Sequence, residues 1–211
     1  MVIHLTNISR RFRFDWIFKN LNYTFEQGKQ YAILGPNGSG KSTLLKIITG
    51  HLSPTKGRIV FLNDAQTPID RDDIYHSISY AAPYIELIEE FTLLEVLQFH
   101  QKFKAFRDNL QPNDLINILK FSKSKHKPIQ FFSSGMKQRL KLVLAFCSDT
   151  PTLLLDEPTT NLDSQGVAWY RHLIKQYADD RLLIIASNIE HDYDFCDEQI
   201  KILDYKGKKR R

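Results

Sequence analysis

The possible folds of this chain are limited above all by one nine-residue segment, Gly35-Pro36-Asn37-Gly38-Ser39-Gly40-Lys41-Ser42-Thr43. The segment fits the pattern G-x-x-x-x-G-K-[ST], in which a glycine-rich loop connects a buried strand to a helix. Residues 30–34 before the loop have the composition of a short buried strand, and residues 42–48 have the apolar spacing of a helix. A chain of this length and average composition would match the pattern by accident about once in a hundred cases.

Glycines followed by a Lys-Ser pair favour the binding of a nucleotide's phosphates. Glycine lets the backbone curve so that successive N–H groups point at an anion, and the positive end of the following helix strengthens the attraction. Lys41 would contact the β and γ phosphates, and the Ser42 hydroxyl would bind Mg²⁺. A simple glycine-rich turn would leave that pair unexplained. The predicted nucleotide-binding residues are Gly35, Asn37, Gly38, Ser39, Gly40, Lys41, Ser42 and Thr43.

The composition is typical of a globular protein. The 211 residues are 42% hydrophobic and 25% charged, with a formal net charge of +5. The longest apolar runs, residues 142–147 and 182–186, are far shorter than the roughly 20 residues of a membrane-spanning helix. Two cysteines do not make a disulfide framework, and the first residues indicate a strand rather than a signal peptide. We therefore expect the chain in a reducing cytoplasm.

The order of the apolar patterns predicts an α/β fold. Alternation between residues 2 and 25 indicates antiparallel strands with one buried face. Continuous apolar runs at residues 152–156 and 181–186 indicate parallel strands covered on both faces, with a crossover helix at residues 163–177. Between residues 92 and 147 the apolar spacing is helical. The prediction is a P-loop NTPase core, a mostly parallel sheet with flanking helices, that carries an antiparallel β lobe and a helical insertion subdomain.

These elements predict a single domain. It covers residues 1–205, with the helical insertion at about residues 84–147, and a basic tail follows at residues 206–211. The tail carries five cations. It is interpreted as a solvated terminus, although attraction to an anionic membrane surface, worth about 1 kcal/mol per residue held close to it, is the alternative.

A second motif is a pair of carboxylates at the end of an apolar strand, Leu153-Leu154-Leu155-Asp156-Glu157. In phosphate-loop ATPases an acidic residue at this strand end holds Mg²⁺, and Asp156 fits that role. Glu157 would then point beyond the γ phosphate, where a carboxylate can orient the attacking water. A helix cap or turn would account for one acid at this place more easily than for an adjacent pair.

The third motif is a serine-rich helix start, Phe132-Ser133-Ser134-Gly135-Met136 followed by Lys137-Gln138-Arg139. By itself it indicates serines that cap a helix. The three motifs in this order resemble the nucleotide-binding domain of ABC (ATP-binding cassette) ATPases, over about residues 2–204. The signature of that family usually reads Leu-Ser-Gly-Gly-Gln.

The resemblance implies ATP as ligand, Mg²⁺ as cofactor and a dimer of cassettes. In the family, the signature helix reaches the partner's ATP, which assigns this contact to Ser133 and Gly135. Residues 161–163, Asn-Leu-Asp, resemble the D-loop of the dimer interface. Phe12 falls where the family has an aromatic residue against adenine, although a core position for it is the alternative.

Two positions depart from the family's pattern. Pro83 aligns with the Q-loop glutamine, and proline offers neither a side-chain oxygen nor a backbone N–H. Glu86 would supply an oxygen only if the loop bends differently. Asn188 aligns with the switch histidine; its amide can donate a hydrogen bond to a γ-phosphate oxygen but cannot carry a proton. His191 would replace it only after a register change. The predicted catalytic residues are Glu157, Lys41 and Asn188.

The resemblance favours an ATP-hydrolysing subunit that energises a membrane transporter, with turnover that the two departures make slow. Its partners would be a separate transmembrane permease subunit and a second ABC cassette, in a homodimer or a heterodimer. It would lie in the cytoplasm, peripheral on the inner face of the cell membrane, and no nucleic-acid partner is expected. The alternatives are a soluble ABC ATPase that acts on nucleic acid or the ribosome, and a regulatory nucleotide-binding subunit with low turnover.

Overall fold

The computed structural model describes residues 1–206. The predicted basic tail lies outside the described residues, apart from Lys206. In chain order, the strands and helices are β1 Val2–Phe12, β2 Asp15–Glu26, β3 Gln30–Leu34, α1 Lys41–Ile48, β4 Lys56–Leu62, β5 Ile78–Ala81, α2 Leu93–Gln101, α3 Pro112–Leu119, α4 Ser134–Cys147, β6 Thr152–Asp156, α5 Ser164–Tyr177, β7 Leu182–Ser187 and β8 Glu198–Lys201.

The predicted antiparallel lobe is a three-stranded sheet in the order β2-β1-β4. Strand β1 pairs antiparallel with both neighbours, and Ile3 lies opposite Phe25 on one side and Phe61 on the other. All three of these side chains are buried. The face that they share packs on helix α1, so this lobe lies against the helix that follows the glycine-rich loop.

The second sheet is parallel throughout and has the order β5-β6-β7-β3-β8. In β6, Leu153 and Leu155 belong to the core beneath the helices of the predicted insertion, whereas Leu154 belongs to the core around α1. Strand β6 is therefore covered on both faces, as its continuous apolar run predicts.

The register of the parallel sheet brings three strand ends to one edge. Leu34 at the end of β3 pairs with Ser187 at the end of β7, and Asp156 at the end of β6 pairs with Ala186. Loops that leave the carboxyl ends of parallel strands form the ligand sites of open α/β sheets. The glycine-rich loop, the acidic pair and the residues after β7 therefore share one edge.

The predicted crossover helix and signature helix begin at capping residues. Asp163 caps α5 by accepting a hydrogen bond from the Gly166 N–H at 2.7 Å, and Ser133 caps α4 by accepting one from the Met136 N–H at 3.2 Å. Side-chain oxygens at these positions satisfy N–H groups that the first helical turn leaves without a partner.

Candidate functional site

Two glycines of the loop occupy backbone positions that other residues adopt with strain. Gly38 has φ +74° and Gly40 has φ +112°. A Cβ atom on Gly40 would also lie 2.5 Å from the Cγ2 atom of Ile17 on strand β2. Glycine is therefore required at position 40 both by the left-handed backbone and by the close approach of the antiparallel lobe.

Lys41 is buried at the centre of the loop. Its ammonium group donates hydrogen bonds to the carbonyl oxygen of Gly35 at 2.8 Å and to that of Pro36 at 3.4 Å. Lys41 is the first residue of α1, where backbone N–H groups and the helix dipole also favour an anion. The positive charge and the N–H groups thus converge on one place.

A cavity of about 170 Å³ opens at this loop. Most of its lining comes from the predicted phosphate-binding residues, and Glu157 and Ile17 complete it; the loop residues are Asn37, Gly38, Ser39, Gly40, Lys41, Ser42 and Thr43. Sequence reasoning missed Ile17, because an apolar residue in a strand carries no signal for ligand contact.

Asp156 carries an oxygen atom that fits a cation. Its side chain is buried, and its Oδ1 atom has no hydrogen-bond partner within residues 1–206. Burial raises the pKa of this carboxyl, although hydrogen bonds from Ser42 and Tyr84 and the charge of Lys41 act in the opposite direction. A buried carboxylate oxygen beside a hydroxyl is a suitable set of hard ligands for Mg²⁺.

Glu157 is positioned by an unusual backbone conformation. Its φ is +44°, a region that non-glycine residues rarely adopt and that often marks functional sites. Its N–H donates a 2.8 Å hydrogen bond to the Ala186 carbonyl, which fixes the residue at the end of the sheet. The side chain is partly exposed and lines the same cavity as Lys41.

Asn188 is exposed and follows β7 directly, beside the ends of β3 and β6, which lead into the glycine-rich loop and into Glu157. His191 contacts the loop after β6 and its own neighbour: its Nε2 atom is 3.2 Å from Thr159 Oγ1 and 3.6 Å from Asp192 Oδ1. The buried Asp192 carboxylate also accepts hydrogen bonds from Thr159 and Ser187 at 2.6 Å each. The structure therefore places Asn188, and not His191, directly after the strand at the shared edge.

The loop after β5 brings a tyrosine that sequence reasoning missed to Asp156. Pro83 lies at the predicted Q-loop position, and its carbonyl accepts a hydrogen bond from Lys141 Nζ at 2.5 Å. The next residue, Tyr84, donates a hydrogen bond through its hydroxyl to Asp156 Oδ2 at 2.8 Å. Glu86 lines a groove beside the helices of the insertion instead. No periodic pattern in the sequence marks Tyr84 as a site residue.

The signature helix start is exposed and outside this cavity. Ser133 and Ser134 are exposed, and none of the first residues of α4 lines the cavity at Lys41. Gly135 packs closely on the loop after β6, because a Cβ atom there would lie 2.9 Å from the Asn161 carbonyl oxygen. Gln138 Nε2 donates a 2.8 Å hydrogen bond to the Pro158 carbonyl in the same loop.

Phe12 ends β1 at the rim of the antiparallel lobe and is 44% exposed. It pairs with Asp15 on β2. The Arg10 guanidinium covers the Phe12 ring at 4.5 Å from its centroid. Phe12 is thus not a core residue.

The sequence profile of the family described as "ABC transporter" matches residues 18–160, which include the glycine-rich loop and both later motifs. The chain belongs to the ABC transporter family. The lantibiotic transport ATP-binding protein SrtF of Streptococcus pyogenes is 31% identical over 204 residues, covering 92% of this chain and 85% of that protein. The uncharacterized ABC transporter ATP-binding protein YybJ of Bacillus subtilis is 30% identical, with 93% and 90% covered.

Solved structures agree with the fold. The dimeric structure of MJ0796, a bacterial ABC transporter cassette, matches with a TM-score of 0.80 at 24% identity, over 95% of this chain and 94% of that one. The structure of an ATP-binding subunit of an ABC transporter matches with a TM-score of 0.81 at 22% identity, over 96% and 87%. The predicted P-loop NTPase fold with its antiparallel lobe is confirmed.

Membership of the ABC family also confirms the predicted function in its general form. The chain is an ATP-binding, ATP-hydrolysing subunit of the ABC transporter type.

No helix within residues 1–206 is long and apolar enough to cross a membrane. The same residues contain no cluster of three or more histidine, cysteine or acidic side chains arranged to hold a metal ion. A cation here would need further oxygen ligands from the substrate, as Mg²⁺ in nucleotide sites does.

Proposed function

We propose that this chain hydrolyses Mg-ATP between two ABC cassettes and thereby drives a separate membrane permease. The observation that carries the proposal is the shared sheet edge, where Lys41, Ser42 and Glu157 line one cavity and the buried Asp156 ends β6 directly before Glu157. The exposed start of α4 supports the second half: Ser133 and Gly135 would complete the ATP site of a partner cassette, identical or related.

Each residue has a distinct role in the proposed site. Lys41 and the loop N–H groups bind the β and γ phosphates, and Phe12 and Ile17 contact the base and ribose side of the nucleotide. Ser42 and Asp156 would hold Mg²⁺, which neutralises charge on the phosphates. Glu157 orients and polarises the attacking water. Asn188 donates a hydrogen bond to a γ-phosphate oxygen.

Asn188 offers a test of these roles, because a charged donor at this position should bind the γ-phosphate oxygen more strongly than an amide does. A hydrogen bond from a charged group is worth about 1 kcal/mol more than a neutral one, so we expect Asn188→His to raise steady-state ATP hydrolysis about fivefold at a pH below about 6.5, where an imidazole is charged. Asn188→Ala should lower it by about the same factor. The measurement is phosphate release at saturating Mg-ATP.

His191→Ala is the matched control for Asn188. His191 contacts Thr159 and Asp192, so its loss should leave the rate within about twofold. A loss of hydrolysis in His191→Ala, with no change in either Asn188 variant, would instead assign the switch role to His191.

A groove beside α2 supports the permease as partner. The rings of Phe91, Phe99 and Phe103 form a ladder, with centroids 5.6 and 5.0 Å apart; Phe91 is half-buried, whereas Phe99 is 39% and Phe103 63% exposed. The groove holds about 340 Å³ and includes Lys104, whose pKa burial lowers to about 8. Its occupant would be an apolar cytoplasmic segment of the permease with an acidic side chain that pairs with Lys104.

The groove gives a binding prediction. Exposed aromatic anchors commonly contribute 1–2 kcal/mol each, so Phe99→Ser together with Phe103→Ser should weaken binding to membrane vesicles of the source cell about tenfold or more. Phe14→Ser, which changes a 93% exposed ring on the other lobe, is the matched control. Cosedimentation measures binding, and trypsin-treated vesicles and protein-free lipid vesicles should bind neither protein. Equal binding of the double variant and the wild type would contradict this docking face.

The relatives do not identify the substrate that is transported with the help of this chain, or the direction of transport. SrtF is named for lantibiotic transport, and a Rhizobium johnstonii protein that is 33% identical over 82% of this chain is named for Nod factor export. We place this chain in the cytoplasm on the inner face of the cell membrane, where such a permease would hold it. A nucleic-acid partner is not expected, and copurified RNA would count against the proposal.

A further inference from the structure

The Tyr84 hydroxyl donates a hydrogen bond to the buried carboxylate of the proposed magnesium site. It lies 2.8 Å from Asp156 Oδ2, and the hydroxyl of Tyr80 lies 3.4 Å from the same oxygen. The two tyrosine hydroxyls are also hydrogen-bonded to each other. Two phenols therefore approach one oxygen of Asp156 from a single side.

The Tyr84 ring is held in place from two further elements. Lys46 Nζ lies 4.1 Å from the ring centroid, and Lys46 is one helical turn beyond Ser42 on α1. Lys141 on α4 fixes the preceding backbone through its hydrogen bond to the Pro83 carbonyl. A cation over an aromatic face is attractive, so the phenol is kept at Asp156 although Tyr84 is 45% exposed.

The contact makes the two oxygens of Asp156 unequal. Oδ2 accepts the Tyr84 hydroxyl, whereas Oδ1 is buried without a hydrogen-bond partner in the described part of the chain. A carboxylate that is anchored through one oxygen loses rotational freedom and presents the other oxygen in a fixed direction. Partners that orient a metal ligand in this way commonly alter metal affinity tenfold or more.

We propose that Tyr84, supported by Tyr80, is the positioning residue of the magnesium carboxylate Asp156. Tyr84, the residue after Pro83, holds the carboxylate through its phenol hydroxyl. Pro83 itself has no side-chain amide that could do so. This inference rests on the proposed function, since it requires Mg-ATP to bind at Lys41, Ser42 and Asp156.

Tyr84→Phe tests the proposal, because it keeps the ring and the Lys46 contact and removes only the hydroxyl. We expect the Mg²⁺ concentration needed for half-maximal tight binding of a fluorescent ATP analogue to rise about tenfold. The affinity for the analogue in EDTA should stay within twofold of the wild type. At saturating Mg²⁺ most of the wild-type hydrolysis rate should return. Tyr80→Phe should have a smaller effect, because its hydroxyl lies 3.4 Å from the carboxylate.

Tyr75→Phe is the matched control, since Tyr75 is exposed and stacks on His76 away from Asp156. An unchanged Mg²⁺ requirement in Tyr84→Phe would overturn the inference while leaving the proposed function intact. A loss of affinity that is equal with and without Mg²⁺ would also overturn it, because it would indicate a role in the shape of the site. If the wild type itself binds the analogue equally well with and without Mg²⁺, the proposed function fails first.

Discussion

Replacement of Glu157 by glutamine is expected to lower steady-state ATP hydrolysis at least about a hundredfold, which is the lower end of what a positioned general base contributes. The substitution keeps the size of the side chain and its place in the cavity but removes the charge that polarises water. The residue is partly exposed and its backbone N–H stays bonded to Ala186, so folding should be unaffected. Phosphate release at saturating Mg-ATP is the measurement.

The same variant should keep ATP bound and should show whether two cassettes form a dimer. If hydrolysis separates the cassettes, a protein that binds ATP but cannot cleave it should accumulate as a dimer in size-exclusion chromatography with Mg-ATP, and return to a monomer when ATP is removed. Glu190→Gln, which changes an exposed acid just beyond β7, is the control and should behave as the wild type. Equal hydrolysis rates in Glu157→Gln and the wild type would show that Glu157 is not the base.

Replacement of Lys41 by alanine should abolish nucleotide binding rather than turnover alone. Hydrogen bonds to charged groups are worth about 1.5–3 kcal/mol each, and Lys41 would make them to two phosphates, so ATP affinity should fall at least about a hundredfold. Isothermal titration with a non-hydrolysable ATP analogue and Mg²⁺ measures this loss.

Two further variants separate binding from folding. Lys41→Met keeps the apolar stem in its buried position, and it should bind ATP as poorly as Lys41→Ala while melting closer to the wild type. Lys175→Ala removes an exposed cation from α5 and should change neither property. If Lys41→Ala binds the analogue within twofold of the wild type, the phosphates lie elsewhere.

The parts of the fold that could be predicted are those with a local or periodic signal. The loop before α1 is specified by its own glycines, and β6 and β7 by apolar runs that suit strands covered on both faces. Asp156 and Glu157 could be assigned because they follow such a run directly. Their shared edge with Lys41 then follows from parallel strand pairing.

The residues that were missed depend on contacts between distant segments. Ile17 reaches the cavity only because the antiparallel lobe packs against Gly40. Tyr84 reaches Asp156 only because β5 is the neighbour of β6 and because Lys46 holds its ring. An aromatic residue in an irregular loop has no spacing that distinguishes a ligand contact from surface packing. The aligned Q-loop motif therefore indicated Pro83 and not Tyr84.

The close approach of Gly135 to Asn161, together with the hydrogen bond from Gln138 to Pro158, has a consequence for a pair of cassettes. The backbone that leaves Glu157 runs directly into the segment that supports the start of α4. In a dimer of the proposed kind, each subunit would thus hold two groups on one rigid unit. One is its own water-activating carboxylate, Glu157, and the other is the start of α4, which would contact the partner's nucleotide. A movement that follows cleavage of one ATP would therefore change the second site. Binding of ATP at either site would change the affinity of the other site by the same factor, because coupling between two binding sites is reciprocal.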